Sequence, residues 1–291
     1  MEKIAKLIDR AESLICSLEK MLPSPAAEPD WESAVAFRWR KRNGSGLLQP
    51  VIHPHRILLK DLQDIGEQKT MVERNTRQFV QGLPANNVLL TGAHGTGKSS
   101  LVKAVLNKFA PKGLRLIEVE KHDLIDMPDI VEQIYKRRER FLIFCDDLSF
   151  EAEDPGYKAL KVVLDGSIAA TSENVLIYAT SNRRHLMPEY MEENLAARHV
   201  GSEVHPGEAV EEKISLSERF GLWVSFYPFT QDEYLRIADY WVAYLKAEVP
   251  NVEAMHRAAL QWALTRGSRS GRVAWQFARD WAGQQQLAKR R

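Results

Sequence analysis

Cysteine is scarce in this sequence. Its 291 residues include only two cysteines, Cys16 and Cys145, and neither belongs to a CxxC pair. So low a count excludes a disulfide framework and a thiolate zinc site, and it is typical of proteins in a reducing compartment. We therefore expect a cytoplasmic protein.

The sequence also has little net charge and no long apolar runs. Its 40 basic residues nearly balance 39 acidic ones, so no overall field attracts a nucleic acid or a membrane, and such a partner would need a local patch. No run of ~18 apolar residues could span a bilayer. The N-terminal stretch is broken by a charge every few residues, unlike a signal peptide. We expect no membrane partner.

The first part of the chain divides into a helix and an extension. Residues 1–22 predict an amphipathic helix, because apolar residues recur at steps of three and four. A linker and extension, residues 23–58, follows and contains the basic and aromatic cluster "FRWRKR", residues 37–42. Such a cluster can touch phosphates or stack on a base, and it can equally be a solvated surface with a buried tryptophan. Both interpretations stay open.

From residue 59 onward, strand and helix patterns alternate. Near-continuous apolar runs predict strands, and amphipathic stretches between them predict helices. The runs are 87–92, 114–120, 141–145 and 174–180, with a further short strand at 222–226. The alternation predicts an α/β base, residues 59–229, with a parallel sheet covered on both faces. A capping box at Thr230 and Glu233 then opens a helical segment, residues 230–291.

The stretch "GAHGTGKS", residues 92–99, matches the phosphate-binding loop G-x-x-x-x-G-K-[ST] at every fixed position. It follows a predicted strand and opens a predicted helix, the context that the motif requires. Lys98 can reach the β- and γ-phosphates, and Ser99 can ligate Mg²⁺. The guanine-reading signature N-K-x-D is absent, so we expect ATP or ADP to bind. The predicted contacts are Gly92, Ala93, His94, Gly95, Thr96, Gly97, Lys98, Ser99 and Ser100.

Two acids, Asp146 and Asp147, follow the apolar run "FLIFC". A carboxylate at the C-terminal end of a parallel strand faces the ligand crevice, so Asp146 is predicted to hold Mg²⁺ through water. Asp147 is the candidate to orient or deprotonate the attacking water. Compared with the glutamate expected at that position, an aspartate sets the carboxylate back by about 1.5 Å, which slows a positioned reaction without removing the base.

Three later residues complete the predicted site. Asn182 follows a buried strand, where its amide can hold the attacking water or the γ-phosphate. Arg219 stands next to a turn ahead of a short strand, and an arginine at a domain edge can stabilise transition-state charge in a neighbouring active site. Arg272, near the start of the last predicted helix, can reach back to the nucleotide, with Arg269 as its competitor.

In this order, the motifs resemble those of the AAA+ ATPases over roughly residues 59–291. The resemblance implies a P-loop NTPase base with a five-stranded parallel sheet and a helical lid, residues 230–291, to which the helix 1–22 adds an N-terminal extension. It also implies a Walker A loop at 92–99, Walker B acids at 146–147, a sensor-1 Asn182, an arginine finger at Arg219 and a sensor-2 Arg272. An aspartate pair at Walker B occurs in that superfamily in proteins that hydrolyse ATP slowly.

A closer resemblance is to a bacterial family of AAA+ proteins catalogued only as a domain of unknown function. It rests on "NVLLTGAHGTGKSSLVKAVLN", "FCDDLSFE" and "YATSNRRHL", and it extends upstream nearly to "FRWR". In AAA+ proteins the segment before the Walker A strand commonly packs beside adenine, so Ile65 and Gly66 are predicted adenine contacts. An acid-rich stretch, residues 187–213, precedes Arg219 and leaves the register of the finger open.

We therefore expect a slow ATPase that assembles into a homo-oligomer, with Arg219 acting in trans, and that remodels or loads a protein or nucleic-acid partner. Its catalytic groups would be Lys98, Asp147, Asn182 and Arg219. An ATP-dependent switch or scaffold with little turnover is the alternative. A small-molecule kinase is a third hypothesis, which the C-terminal helical lid with its candidate sensor arginine argues against.

Overall fold

The structure is a computed structural model that describes residues 29–42, 45–150, 154–165, 173–182, 198–200, 203–205 and 216–289, together with Arg10 and Glu12. The predicted helix 1–22 lies outside the described residues apart from those two positions, both of which are helical. Within the described part of the chain, no helix is both long enough and apolar enough to cross a membrane.

A mixed sheet forms the centre of the molecule. The strands in chain order are β1 (Ala36–Arg42), β2 (Ser45–Pro50), β3 (Val88–Gly92), β4 (Leu114–Glu118), β5 (Arg140–Cys145), β6 (Val175–Ser181), β7 (Arg198–Val200), β8 (Glu203–His205) and β9 (Leu222–Phe226). Seven of them form one sheet in the order β2-β1-β4-β5-β6-β3-β9, and β7 pairs with β8 separately. Within the large sheet only the β1–β2 pair is antiparallel.

Helices cover this sheet and form the C-terminal segment. The base carries α1 (Gly66–Val80), α2 (Lys98–Phe109), α3 (Met127–Ile134) and α4 (Pro155–Asp165), and the lid consists of α5 (Gln231–Tyr244), α6 (Val252–Arg266) and α7 (Gly271–Lys289). Short 3-10 helices lie at Leu59–Asp61, Ala110–Lys112 and Lys121–Asp126. The predicted α/β class with an all-helical lid is confirmed.

The predicted number of five strands is wrong, because residues 36–50 add two strands at one edge of the sheet. Successive side chains of a strand point to opposite faces, and β1 follows this rule: Phe37 and Trp39 are buried. The sheet therefore extends into the segment predicted as a linker and extension, residues 23–58.

Arg38 and Lys41 of β1 contact acids of neighbouring elements. Arg38 pairs with Glu118 of β4 at 2.7 Å, and Lys41 pairs with Asp126 at 2.8 Å. Asp126 also accepts a hydrogen bond of 3.0 Å from the indole of Trp39. The cluster "FRWRKR" is thus a structural strand of the sheet, with these cations committed to partners in the same chain.

Two apolar clusters fill the two faces of the sheet. Leu142 and Phe144 of β5 belong to the cluster under α1, α2 and the lid, whereas Phe141 and Ile143 belong to the cluster under α3 and α4. All four side chains are almost completely buried. A central parallel strand that is covered on both faces needs apolar residues at every position, which explains the run that predicts β5.

The lid contacts the base through the segment just before α1. Arg236 of α5 forms an ion pair with Asp64 at 2.5 Å, and the hydroxyl of Tyr240 donates to Asp61 over 2.6 Å. The capping box predicted at the start of α5 is present, since the side chain of Thr230 accepts a hydrogen bond from the backbone N–H of Glu233. These contacts hold the lid beside the carboxyl ends of the strands.

Candidate functional site

A cavity of about 670 Å³ lies between the phosphate loop, the segment before α1 and the lid. It is lined by the loop residues His94, Gly95, Thr96, Gly97, Lys98, Ser99 and Ser100, and by Asp146, Asp147, Asn182 and Arg272. Strands β5, β6 and β3 are successive parallel neighbours, so their carboxyl ends meet at one edge of the sheet. The structure therefore brings most of the predicted site residues together.

The phosphate loop depends on glycine where its backbone turns. Gly95 and Gly97 have φ angles of 73° and 104°, a left-handed conformation that side chains disfavour. At Gly92, with φ 129°, an added Cβ would lie 1.9 Å from the carbonyl oxygen of Phe226. Helix α2 begins directly at Lys98, so its unpaired N-terminal amides belong to the wall of the cavity.

Lys98 is folded back onto its own loop. Its Nζ donates to the carbonyl oxygens of Gly92 and Ala93, at 2.6 and 2.8 Å, and to Oδ1 of Asn182 at 2.9 Å. Burial lowers the pKa of Lys98, an effect that the carboxylates of Asp147 and Asp146 oppose. Gly92 and Ala93, which the sequence predicts as ATP contacts, thus bind the ammonium group of Lys98 and are not part of the cavity lining.

Asp146 and Ser99, the two predicted metal-binding residues, are hydrogen-bonded to each other. The hydroxyl of Ser99 donates to Oδ1 of Asp146 over 2.6 Å, and Thr180 donates to the same oxygen over 2.6 Å. Hydroxyl and carboxylate oxygens are hard ligands of the kind that Mg²⁺ prefers. The donor set therefore fits the predicted ion.

Asp147 has an unusual backbone conformation. Its φ is 55°, in the left-handed region that residues other than glycine seldom adopt and that is associated with functional strain. Its N–H donates to the hydroxyl of Thr180 over 2.8 Å, and its Oδ1 accepts a short hydrogen bond from the amide of Asn182. The predicted base and the predicted sensor are thus in direct contact.

Thr180 is a site residue that the sequence analysis misses. Its side chain is buried, and its hydroxyl both donates to Asp146 and accepts from the backbone of Asp147. It also lines the cavity. The signal available in the sequence is a threonine two residues before Asn182, at the end of the same predicted strand.

The two candidate arginines at the start of α7 lie differently. Arg272 lines the cavity, whereas Arg269 is exposed and is not part of its lining. The start of α7 is packed tightly on the phosphate loop, because a Cβ added to Gly95 would lie 2.8 Å from Oγ of Ser270 and 3.4 Å from Cβ of Arg272. This geometry favours Arg272 as the residue that faces a nucleotide.

The two predicted adenine contacts also differ. Ile65 is buried and lines the cavity, and its Cδ1 would lie 3.6 Å from a Cβ added to Gly97. Gly66 opens α1 and is not part of the lining. The role of both residues at adenine stays a prediction.

The lid supplies aromatic residues to the cavity that the sequence analysis does not predict. Trp241 and Tyr244 of α5 and Trp275 of α7 are part of the lining. Trp241 and Tyr244 are three positions apart, as are Arg272 and Trp275, so each pair occupies one face of its helix. No local motif marks these residues, because the wall forms only when two helices meet.

Arg219 lies away from this cavity. It forms a short ion pair with Asp165 at the end of α4, and it lines a second cavity, of about 1210 Å³, together with Asn87 and Gly221. Asn87 and Gly221 directly precede β3 and β9, so Arg219 is at the amino ends of the strands. The phosphate loop is at their carboxyl ends.

Comparison with known families decides where this chain belongs. Residues 32–285 match the family described as "Protein of unknown function (DUF815)". The chain belongs to the DUF815 family. The match confirms the resemblance to an uncharacterised family, and it begins ahead of β1. A comparison of this DUF815 protein with curated proteins found no match.

Solved structures of RuvB from Thermotoga maritima resemble the DUF815 chain. One point mutant superposes with a TM-score of 0.51 at 13% identity, covering 77% of this chain and 63% of that one. A second mutant gives 0.48 at 15%, with 74% and 60% covered. A structure described as a Holliday junction branch migration motor gives 0.44 at 14%, with 76% and 70% covered.

This likeness concerns the fold. The DUF815 chain spans less than two thirds of the length of the first two RuvB structures, 63% and 60%. The first superposition confirms the fold class expected from the sequence, an α/β base with a helical C-terminal segment, and shows that this RuvB mutant shares it.

Proposed function

We propose that this DUF815 protein binds ATP in the cavity and hydrolyses it slowly with the help of Mg²⁺. One observation carries the proposal: Asn182 contacts both Lys98 and Asp147 at a cavity that Ser99 and Asp146 also line. A phosphate loop alone would suit a protein that only binds nucleotide. A second acid beside a neutral amide adds the groups that hydrolysis requires.

The phosphate loop would hold the triphosphate. Backbone amides at the start of α2 offer unpaired donors and a partial positive charge. Lys98 has three donors, and at present two of them bind the carbonyl oxygens of Gly92 and Ala93. An anionic phosphate would attract the ammonium group more strongly than neutral carbonyl oxygens do, because two opposite charges add a Coulomb attraction that a neutral oxygen cannot supply.

Ser99 and Asp146 would hold the magnesium ion. Their oxygens lie 2.6 Å apart, and Thr180 fixes the orientation of the Asp146 carboxylate through its own hydrogen bond. When bound, the ion would supply positive charge against the phosphate oxygens. The protein's part is to keep a carboxylate and a hydroxyl facing the same space.

Asp147 would act as the general base. It would accept a proton from the water whose oxygen bonds to the γ-phosphorus, while the bond from that phosphorus to the β–γ bridging oxygen breaks and ADP leaves. The amide of Asn182 would position the water. The aspartate carboxylate is set back by about 1.5 Å relative to a glutamate, and it is engaged by Asn182, so turnover is expected to be slow.

Arg272 would act on the nucleotide bound to its own subunit, and Arg219 on the nucleotide bound to a neighbouring subunit. Arg272 lines the cavity of its own chain, whereas Arg219, at the opposite ends of the strands, would contact phosphates of a neighbouring copy. A contact of this head-to-tail kind generates a ring or an open helix. Such an assembly would use ATP to remodel or load a protein or nucleic-acid partner.

An ATP-dependent switch with little turnover is a second candidate, and one contact favours it. The amide of Asn182 donates to the carboxylate that would act as base, while its carbonyl oxygen accepts from Lys98. If this network persists when ATP is bound, the hydrogen bond from Asn182 keeps the Asp147 carboxylate from accepting a proton from water. The nucleotide state would then control the affinity for a partner. Steady-state turnover separates the two candidates.

The site is tested first by binding. Lys98→Ala should strongly weaken the affinity for Mg·ATP in calorimetry, because the loop amides alone supply only part of the charge that a triphosphate needs. Lys112→Ala, which removes an exposed lysine outside the cavity, is the matched control and should bind as the native protein does. Equal affinity of Lys98→Ala and the control would refute the site.

A further inference from the structure

The nucleotide cavity has an aromatic wall, formed by Trp241, Tyr244 and Trp275. The ring centroids of Trp241 and Trp275 lie 4.7 Å apart, and those of Trp241 and Tyr244 lie 5.3 Å apart, each pair meeting edge-on. These distances and angles are those of favourable aromatic pairs. The three rings therefore form one packed surface across α5 and α7.

Tyr240 anchors this aromatic wall to the base of the protein. Its ring lies 5.0 Å from that of Trp241, and its hydroxyl donates to Oδ1 of Asp61 over 2.6 Å. Asp61 is buried, and its second carboxylate oxygen accepts the N–H of Leu58 over 2.8 Å. The wall is thus fixed in position before any ligand arrives, which lowers the entropy cost of binding.

Aliphatic side chains of the base line the same cavity. Ile57, Leu62 and Ile65 are buried core residues that also belong to the lining. The lid rings and these aliphatic side chains together give the cavity the apolar surface that is typical of sites for flat organic groups. The groups proposed to bind the phosphates and the metal lie elsewhere in the cavity, in the loop, at the nearby ends of the strands and at Arg272.

We propose that the base of the bound nucleotide stacks on the aromatic wall of the lid. The inference rests on the proposed function, because a triphosphate held by the loop leaves its base to the apolar part of the same cavity. Loss of one stacking ring is expected to weaken nucleotide binding by about 5- to 100-fold. The nucleobase would then contact both the lid and Ile65. Nucleotide binding would thereby fix the lid on the α/β base of the protein.

Comparison of ATP with inorganic tripolyphosphate separates the contribution of the nucleobase to binding affinity from that of the phosphates. Calorimetry on the full chain with Mg²⁺ should show that Trp275→Leu weakens ATP binding by about 5- to 100-fold and changes tripolyphosphate binding by less than about twofold. Tyr244→Ala, which truncates an exposed side chain, should act in the same direction and avoids disturbance of the lid core.

Matched controls remove rings outside the cavity. Trp281→Leu changes a second tryptophan of α7, one whose indole donates to the carbonyl oxygen of Glu248, and Tyr227→Ala removes an exposed tyrosine. Both should bind ATP like the native protein.

Three results would overturn the proposal, the first two in a different way from the third. The first is that Trp275→Leu and Tyr244→Ala weaken the binding of ATP and of tripolyphosphate equally, and the second is that neither variant changes the affinity for ATP. Either result would mean that the rings do not contact the nucleobase, while nucleotide binding itself stands. If the native protein binds neither ligand, the proposed function fails, and this inference fails with it.

Discussion

The hydroxyl of Thr180 donates a hydrogen bond to Oδ1 of Asp146 over 2.6 Å and accepts one from the backbone N–H of Asp147 over 2.8 Å. One buried side chain of β6 therefore fixes both acids that follow β5. Asp147 has a strained left-handed backbone, so it needs such support to keep its carboxylate beside Asn182.

Removal of this support should impair catalysis with little effect on the fold. Thr180→Val keeps the shape of the side chain but removes the hydroxyl, so turnover or magnesium affinity should fall about 10- to 100-fold, the usual effect of losing a group that orients a metal ligand. Thr180→Ser restores the hydroxyl and should recover most of the activity. The measurement is ATP turnover as a function of Mg²⁺ concentration, and equal curves for Val and Ser variants would show that the threonine only fills space.

The register of the sensor arginine can be tested with a pair of variants. Arg272→Ala should lower ATP affinity or turnover, because its side chain lines the cavity, whereas Arg269→Ala should have little effect, because Arg269 is exposed outside it. Each variant loses one positive charge, and the two positions are only three residues apart. Each variant is therefore the control for the other. A larger defect at position 269 would show that the opposite register is correct.

Arg219 should contribute to ATP hydrolysis only when subunits assemble. An arginine supplied to a phosphoryl-transfer site is worth about 10³–10⁵ in rate, so Arg219→Ala should bind ATP nearly normally and hydrolyse it poorly. Mixing Arg219→Ala with Asp147→Asn should restore some turnover, because one interface then joins an intact base and an intact arginine.

Arg257→Ala, which removes an exposed arginine of α6, is the control for this loss of charge. Sedimentation with a non-hydrolysable ATP analogue should show species larger than a monomer. A protein that remains monomeric at every concentration while fully active, and mixtures that recover nothing, would exclude a role in trans.

Stability should fall at high pH because of the buried thiol of Cys145. Burial raises the pKa of this thiol from 9.0 to about 12, so above about pH 9 the unfolded chain binds fewer protons than the folded one. The free energy of unfolding should therefore decrease as pH rises, with this group contributing up to about 1.4 kcal/mol per pH unit. Urea unfolding under reducing conditions should show a shallower decrease for Cys145→Ala, and an unchanged slope would contradict the burial of the thiol.

The phosphate loop and the acids could be predicted because their signals are local. The prediction that the phosphate loop opens a helix is confirmed, since α2 spans Lys98–Phe109, and a strand ends just before Asp146 as expected. In both cases the motif and the periodicity of the flanking residues point to the same structure.

Features that depend on distant residues could not be predicted in this way. The cations of "FRWRKR" find their acids more than 75 positions away, at Glu118 and Asp126, so local composition could not tell a strand from a surface patch. The alternation of Phe37 and Trp39 with basic residues was the available signal. Trp275 joins Trp241 only through the packing of α7 on α5.

The most direct test of the account is phosphate release by the native protein and by Asp147→Asn, measured with ATP binding on the same samples. Asparagine keeps the shape of the side chain and removes the base. We predict slow, magnesium-dependent release by the native protein, and an Asp147→Asn protein that binds ATP with nearly native affinity and releases no phosphate. Release by Asp147→Asn at the native rate, or no magnesium-dependent release by the native protein, would contradict an ATPase with Asp147 as its base.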